Sequence, residues 1–336
     1  MKSKIFISTV LMLVLIFSSC EKIIDFNGNV PNPQLVMNCI ALPDSTLKVN
    51  LTRSKFFLSN NKQGFTTVDN GLVTATINDT LKLNLTTTGD GNYEVNYKPK
   101  PNDKIRIDAS APTLESIWAE VKITPKVTII SIDTTWVKID DKNGNNYNYP
   151  IYNLTGDSII GNSFSAEIKI RIKFQDNASE QNYYRLNVFS GQGYNNKNYN
   201  TNYYSNYYWI NYDDIVFGNS SDQGSFIDVT SGSYGNNYFT DELINGKEYS
   251  LSINTTVMKY DYLPGKTPRG DIESNSELTI DLQHLSKSYY LYQKTKNASM
   301  SSDPILSEPV QIFSNVNGGM GILGTYTSSN VVKIEL

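Results

Sequence analysis

Residues 164–174 read FSAEIKIRIKF and alternate between apolar and polar side chains. In an extended chain successive side chains point to opposite faces, so a period of two is typical of a strand with one buried face. The residues on the apolar face are Phe164, Ala166, Ile168, Ile170, Ile172 and Phe174. This segment predicts a β-strand whose apolar face borders a hydrophobic core.

Shorter segments of the same kind occupy the chain before this one. They are rich in β-branched and aromatic residues, and turn-forming pairs such as Pro43-Asp44 and Asn102-Asp103 separate them. The predicted strands are Gln34–Ala41, Thr46–Arg53, Leu72–Ile77, Leu81–Thr87, Tyr93–Tyr97, Lys104–Ala109 and Trp118–Ile123. Seven strands at this spacing predict an immunoglobulin-like or transthyretin-like β-sandwich over residues 34–125.

The remaining residues, 126–336, predict a second β-rich domain. Its further strands are Val127–Val137, Tyr183–Phe189, Phe226–Val229, Tyr249–Tyr260, Glu277–Leu282 and Val331–Ile334. A helix is predicted near residues 286–298, because Ser286 is a suitable N-cap and the apolar residues around it recur at helical spacing. Those apolar residues are Leu285, Tyr289 and Tyr292. The predicted fold class is therefore all-β, with two β-sandwich-like domains, the second with one helix.

The N-terminal residues predict export and a lipid anchor. Two lysines precede an apolar stretch, residues 5–17, which is too short for a membrane-spanning helix and fits the core of a signal peptide. Two serines then lead to Cys20, where a bacterial lipoprotein carries its lipid. We expect residues 1–19 to be a signal peptide. Residues 20–33 would then be a tether that attaches the protein to the membrane through the Cys20 lipid. The alternative is an ordinary secretory signal followed by an incidental cysteine.

Composition argues against several classes of function. The formal net charge is −4 and basic clusters are lacking, so no nucleic-acid partner is expected. His284 is the only histidine, and Cys39 is the only cysteine besides Cys20, so the chain cannot assemble a histidine- or cysteine-based zinc site. Cys39 lies in an apolar run and predicts a buried packing residue. We predict no catalytic residue, no metal and no cofactor.

Two further motifs carry little chemical information. Residues 319–324 match the pattern G-x-G-x-x-G, but a dinucleotide site needs a helix directly afterwards, and only 12 residues follow. We interpret this stretch as a glycine-rich hairpin. Asp213-Asp214 is a pair of adjacent acids in a polar segment, which is usually solvated, although a carboxylate-based hydrolase stays open as an alternative.

The most unusual stretch is residues 194–212, which is rich in tyrosine and asparagine. Tyrosine provides a large amphipathic contact area at a low entropic cost, as in antibody paratopes and sugar-binding platforms. The candidate ligand- or partner-binding residues are Tyr203, Tyr204, Tyr207, Tyr208 and Trp209. The alternatives are a low-complexity Asn/Tyr insertion and a hairpin whose tyrosines cover the core. Packing and binding are both open.

Three motifs carry a resemblance to a known family. They are residues 308–326 (EPVQIFSNVNGGMGILGTY), residues 182–186 (NYYRL) and residues 285–290 (LSKSYY). With the signal and the cysteine, they resemble the domain-of-unknown-function 4249 family of Bacteroidota lipoproteins. The family has no established activity. The resemblance implies a lipid-anchored outer-membrane protein, on its periplasmic or its surface side, in the company of TonB-dependent receptors.

We therefore expect a non-catalytic outer-membrane accessory that binds a partner or ligand beside a TonB-dependent receptor. The first alternative is a glycan-binding surface lipoprotein that uses the tyrosine-rich residues 194–212. A hydrolase with a carboxylate site is the least favoured alternative.

Overall fold

The computed structural model describes residues 28, 31–56, 65–138, 149–152, 156, 158–194, 210–212, 214–218, 237–264, 274–301 and 310–335. The predicted signal peptide, Cys20 and the predicted strand Phe226–Val229 lie outside this described part of the chain.

The first sheet consists of nine strands. They are β1 (Leu35–Ile40), β2 (Leu47–Arg53), β3 (Thr66–Thr67), β4 (Leu72–Ile77), β5 (Leu81–Gly89), β6 (Asn92–Val95), β7 (Lys104–Ser110), β8 (Ile117–Lys122) and β17 (Met320–Gly324). All seven strands predicted over residues 34–125 are present, with ends within two residues of those expected. These strands form where buried and exposed side chains alternate. In β7, Ile105 and Ile107 are fully buried, while Arg106 between them reaches the surface.

β17 comes from the far end of the chain and changes the predicted domain division. It pairs in parallel with β1, with Val36 opposite Met320 and Ile40 opposite Gly324. Residues 320–324 therefore belong to the first sheet, although the sequence placed them in the second domain. Pairing between segments so far apart leaves no local pattern in the sequence. The described residues from Gln34 to Ser54 and from Phe65 onward form one compact unit.

The first sheet wraps around a single core. Its strand order is β17-β1-β2-β6-β5-β4-β7-β8, and β3 pairs with β2. Asn317, just before β17, forms a bridge with Trp118 on β8, so the two ends of the strand order meet. Met37, Tyr93 and Ile105 are among the fully buried residues inside. Cys39 is buried in the same core, as the sequence predicted.

The second part of the chain forms two sheets. One contains β9 (Ile129–Lys138), β10 (Tyr149–Tyr152), β11 (Ile159–Gln175), β13 (Ile210–Asn211) and β15 (Glu248–Tyr262). The other contains β12 (Tyr183–Tyr194), β14 (Tyr238–Thr240), β16 (Ser274–Leu285), β18 (Tyr326–Ser328) and β19 (Val332–Glu335). A four-residue helix, α1 (Ile215–Gly218), precedes β14.

These two sheets pack face to face around a second core. The alternating stretch 164–174 lies within β11, and Ile168, Ile170 and Phe174 are fully buried, as the alternation predicts. Leu282 on β16 belongs to the same apolar cluster. The fold is thus all-β and sandwich-like, as predicted.

One helix covers part of the outer face of the β12–β16 sheet. It is α2 (Lys287–Ser301), and Ser286 caps it by accepting a hydrogen bond from the backbone N–H of Tyr289 at 3.3 Å. Tyr290 is the most deeply buried residue of α2, with its ring 4.9 Å from that of Tyr183. The sequence pattern predicted the helix and its cap. It indicated Tyr289, however, and not Tyr290, as a main packing residue of the helix.

Candidate binding surface

The sequence-predicted binding residues lie outside the described part of the chain: Tyr203, Tyr204, Tyr207, Tyr208 and Trp209. Their described neighbours show where this segment is attached. The chain leaves β12 at Tyr194 and returns at Ile210, which pairs with Thr255 on β15. Tyr212 packs edge-on against Phe217 at 5.1 Å, and burial raises the pKa of its hydroxyl to about 12. The last tyrosine of the stretch is therefore a packing residue.

Both sheets of the second part end at the surface that we name the distal end. There Tyr194 on β12 lies opposite Ser274 on β16, and Gly161 on β11 lies opposite Tyr262 on β15. The opposite, proximal end is closed by residues 176–182, which connect β11 to β12. The tyrosine-rich segment therefore starts from the distal end.

Large apolar side chains are exposed at or near the distal end. Tyr152 and Ile159 are cross-strand neighbours with relative exposures of 52% and 47%. Leu263, 46% exposed, follows β15 and donates its backbone N–H to the carbonyl of Ile160 at 2.8 Å. Phe189 is 45% exposed, but it lies midway along β12, opposite Thr279, and is not counted in this group. Exposed apolar groups that cluster in this way mark interaction surfaces, whereas single ones are ordinary.

Buried polar residues hold the proximal end together. The amide nitrogen of Asn182 lies 2.6 Å from the carbonyl oxygen of Asn177 and 3.1 Å from a carboxylate oxygen of Asp241. Asp176 accepts hydrogen bonds from the Tyr184 hydroxyl and from this same amide. Burial, together with the nearby Asp176 charge, raises the pKa of Asp241. This cluster fixes two loops at the end opposite the exposed apolar surface, so it serves the fold.

His284 joins the two parts of the chain and has a structural role. Its Nδ1 lies 3.0 Å from the carbonyl oxygen of Pro125, and its own carbonyl accepts a hydrogen bond from the Thr124 hydroxyl at 2.9 Å. Burial lowers the pKa of its imidazole. Pro125 is the last residue of the predicted first domain, so this hydrogen bond connects the end of the first part to the second part.

Arg185, from the NYYRL motif, fastens α2 to its sheet. Its guanidinium donates to the side-chain oxygen of Gln283 and, at 3.2 Å, to the Tyr238 hydroxyl. It also faces the rings of Tyr289 on α2 and Tyr326 on β18, at 5.9 and 5.5 Å. The motif therefore carries an arginine that packs against aromatic rings, and no pattern in the sequence indicated this role.

Asp214, one member of the acidic pair considered in the sequence, has a structural role. Asp213 lies outside the described residues, and both carboxylate oxygens of Asp214 are occupied. They accept hydrogen bonds from the Tyr249 hydroxyl at 2.5 Å and from the backbone N–H of Ser252 at 2.8 Å. Asp214 thereby ties the start of α1 to β15.

The glycine motif belongs to a strand, and its interpretation as a hairpin is wrong. Residues 320–324 form β17 in the first sheet, while β18 lies in another sheet. A Cβ atom on Gly319 would stand 2.4 Å from the carbonyl oxygen of Leu35, and one on Gly324 would stand 2.8 Å from the Cβ of Tyr289. The glycines allow β1 and α2 to approach β17 closely. Glycine inside a strand often marks such a close approach of another backbone.

The described residues offer no other chemical centre of two familiar kinds. Within those ranges, no group of three or more His, Cys, Asp or Glu side chains is placed to hold a metal ion. Among the helices that the structure describes, none combines the length and apolar character needed to cross a membrane.

The fold and this surface define an all-β protein of packed sheets with an exposed apolar end. The family described as Domain of unknown function (DUF4249) matches residues 21–331. The chain belongs to this family, as its motifs suggested. A comparison with curated proteins gave no match.

Proposed function

We propose that this protein is a lipid-anchored, non-catalytic accessory of the outer membrane that binds a partner protein, a TonB-dependent receptor, through its distal end. The observation that carries this proposal is the group of exposed apolar side chains at that end, Tyr152, Ile159 and Leu263. The tyrosine-rich segment starts from the same end at Tyr194. Interface cores are rich in aromatic residues and poor in Lys and Glu, and this composition fits the segment.

The anchor would deliver this surface to the membrane. In the sequence, Cys20 precedes the first residue of β1, Leu35, by 15 positions. Two or three acyl chains on an N-terminal cysteine give stable membrane attachment, which a single chain does not. The tether leads into β1, which lies in the first sheet. The distal end is formed by strands of the second part of the chain, so the tether is not attached to it directly.

Co-purification from outer membranes of the native host tests the proposal. The variant Tyr152→Ser/Ile159→Ser/Leu263→Ser removes apolar surface at the distal end without touching the buried core. Leu243→Ser is the matched control, since Leu243 is 43% exposed in the proximal turn before β15. We expect the distal variant to lose the receptor and the control to keep it. Equal recovery of the receptor with both variants, or no receptor with the wild type, would exclude the proposed surface.

A second variant tests the tyrosine-rich segment itself. The deletion should remove residues 195–209 only, because Tyr194 lies in β12 and Ile210 and Tyr212 are held by β15 and Phe217. We expect the receptor to be lost while the thermal midpoint changes little. Loss of the folded state would instead assign the tyrosines to the core. Retained receptor with lost glycan retention on a column would favour the glycan-binding alternative.

A further inference from the structure

The outer face of the first sheet carries a groove that runs along β4. Thr76 lies opposite Lys82 on β5 and Arg106 on β7, and Thr74 lies opposite Asn84 and Asp108 on the same two strands. The middle strand thus presents short side chains, and its neighbours present longer ones. The lining consists of Thr74, Thr76, Asp79, Lys82, Arg106 and Asp108. The groove is open to solvent and has a volume of about 470 Å³.

One wall of the groove is held in place before any ligand arrives. The Nε of Arg106 lies 3.0 and 3.1 Å from the two carboxylate oxygens of Asp108, and its Nη2 lies 2.7 Å from one of them. The guanidinium also stacks on the ring of Trp118, 4.1 Å from the centroid. These side chains still reach solvent, with Arg106 36% and Asp108 44% exposed. A polar wall that is already ordered loses little conformational entropy when it binds.

The charged groups of the groove give no net preference for an ionic ligand. Asp108 pairs with Arg106, and Asp79 pairs at 3.3 Å with Lys104, which also lies 3.5 Å from Glu120. With Lys82 these side chains carry three positive and three negative charges, so the net charge favours neither an anion nor a cation. Backbone recognition is excluded as well, since β4 is paired with β5 on one side and with β7 on the other, and strand addition needs a free edge.

We propose that this groove binds a neutral saccharide. A sugar hydroxyl both donates and accepts hydrogen bonds. It can donate to the Asp108 carboxylate, accept from Arg106 or Lys82, and do either with the Thr76 hydroxyl. It can also donate to the Thr74 hydroxyl, whose own proton goes to the side-chain oxygen of Asn84 at 3.3 Å. The close alternation of donors and acceptors on a neutral wall suits a ligand with several adjacent hydroxyl groups. This site lies in the first sheet and does not depend on the proposed function of the distal end.

Saturation-transfer NMR of the full-length protein in detergent tests the proposal. The probes are maltose, cellobiose, xylobiose, mannobiose and laminaribiose, with digalacturonate as the anionic comparison. Thr76→Arg fills the floor of the groove, and Thr128→Arg makes the same change at an exposed position beyond β8. We expect at least one neutral disaccharide to bind the wild type and the Thr128 variant. We expect binding to the Thr76 variant to be roughly tenfold weaker or more.

A second variant keeps the groove open and changes its chemistry. Asp108→Asn preserves volume but removes a strong acceptor and releases Arg106, so binding should weaken several-fold. If the Thr76 variant proves unfolded by near-ultraviolet circular dichroism, the Asp108 variant decides the question. The proposal is overturned if no neutral disaccharide binds, if Asp108→Asn or a folded Thr76→Arg binds as well as the wild type, or if digalacturonate binds best and is displaced by salt.

Discussion

Replacing Gly321 by alanine should detach β17 from the first sheet. The backbone φ of Gly321 is +114°, a value that residues with a Cβ rarely adopt. An added Cβ would stand 1.9 Å from the carbonyl oxygen of Met37, and 2.7 and 2.9 Å from the backbone C and N of that residue. All three obstructing atoms belong to the backbone of β1. They cannot move aside without breaking the register between β1 and β17.

The expected cost combines two effects. Backbone strain at such a φ costs about 1–3 kcal/mol. The overlap with β1 adds the loss of the pairing that runs from Val36–Met320 to Ile40–Gly324. We therefore expect the free energy of unfolding to fall by about 4 kcal/mol or more, in the range reserved for broken core structure.

Gly89→Ala is the matched control. Gly89 also has a positive φ, +95°, but nothing lies within 4 Å of the position that an added Cβ would take. This variant has the backbone strain without the overlap, so it should lose only about 1–2 kcal/mol. The difference between the two variants isolates the close approach of β1 and β17.

Two measurements check the result. Urea unfolding gives the free energy of unfolding of each variant. Alkylation of Cys39 shows whether the pairing of β1 with β17 is lost. Cys39 lies opposite Leu323, and burial raises the pKa of its thiol to about 12, so it should resist alkylation in the wild type. In a Cys20→Ser background it is the single thiol. Fast alkylation of Cys39 is expected in the Gly321 variant alone. Equal stability losses in the Gly321 and Gly89 variants would refute the reasoning.

Four further predictions concern the anchor, the cores and α2. Cys20→Ser should release the protein from membranes, and fractionation that still finds it in the membrane pellet would refute the lipid anchor. Burial lowers the pKa of His284 below its ordinary 6.5, so the stability it supports is present above that pH and is lost as the pH falls through the folded value. His284→Gln should therefore show a smaller drop in thermal midpoint between about pH 7 and pH 5, and an unchanged drop would contradict this. The Tyr93 hydroxyl donates to the Val68 carbonyl and accepts from the Gly71 N–H, both at 2.8 Å, so Tyr93→Phe should cost about 2 kcal/mol in urea unfolding. Arg185→Met should speed hydrogen exchange in α2 but not in β7, and equal rates in α2 would show that the arginine does not fasten the helix.

The sequence predicts strands well where one face is buried and the other is wet. In β7 and β11 the alternation extends over most of the strand, so their positions follow directly from it. Prediction fails where a strand is buried on both sides or is very short. β14 (Tyr238–Thr240) has three buried residues and no alternation, and no pattern distinguished it. β11 also begins earlier than expected, because Gly161 and Asn162 break the pattern although they are paired.

The candidate surface was only partly predictable for a different reason. The tyrosine-rich stretch stands out by composition, which indicates contact area but not its direction. Whether Tyr212 covers the core depends on Phe217 and on β15, which lie outside the stretch. The groove on β4 is the opposite case. Each of its side chains lies in a correctly predicted strand or turn, but the groove itself appears only when β4, β5 and β7 are set side by side.

The pairing of β1 with β17 also sets the order in which the first sheet can be completed. β1 is the first of the described strands to be synthesised, and the residues that cover its open edge belong to one of the last three. Until they emerge, β1 presents an unpaired edge, with Leu35, Met37 and Cys39 on its apolar side, and such edges are templates for aggregation. Contacts of this sequence separation also form slowly. The first sheet therefore stays unfinished until the end of synthesis. A truncation that removes only the last strands would leave a nearly complete protein whose unpaired β1 edge permanently favours aggregation.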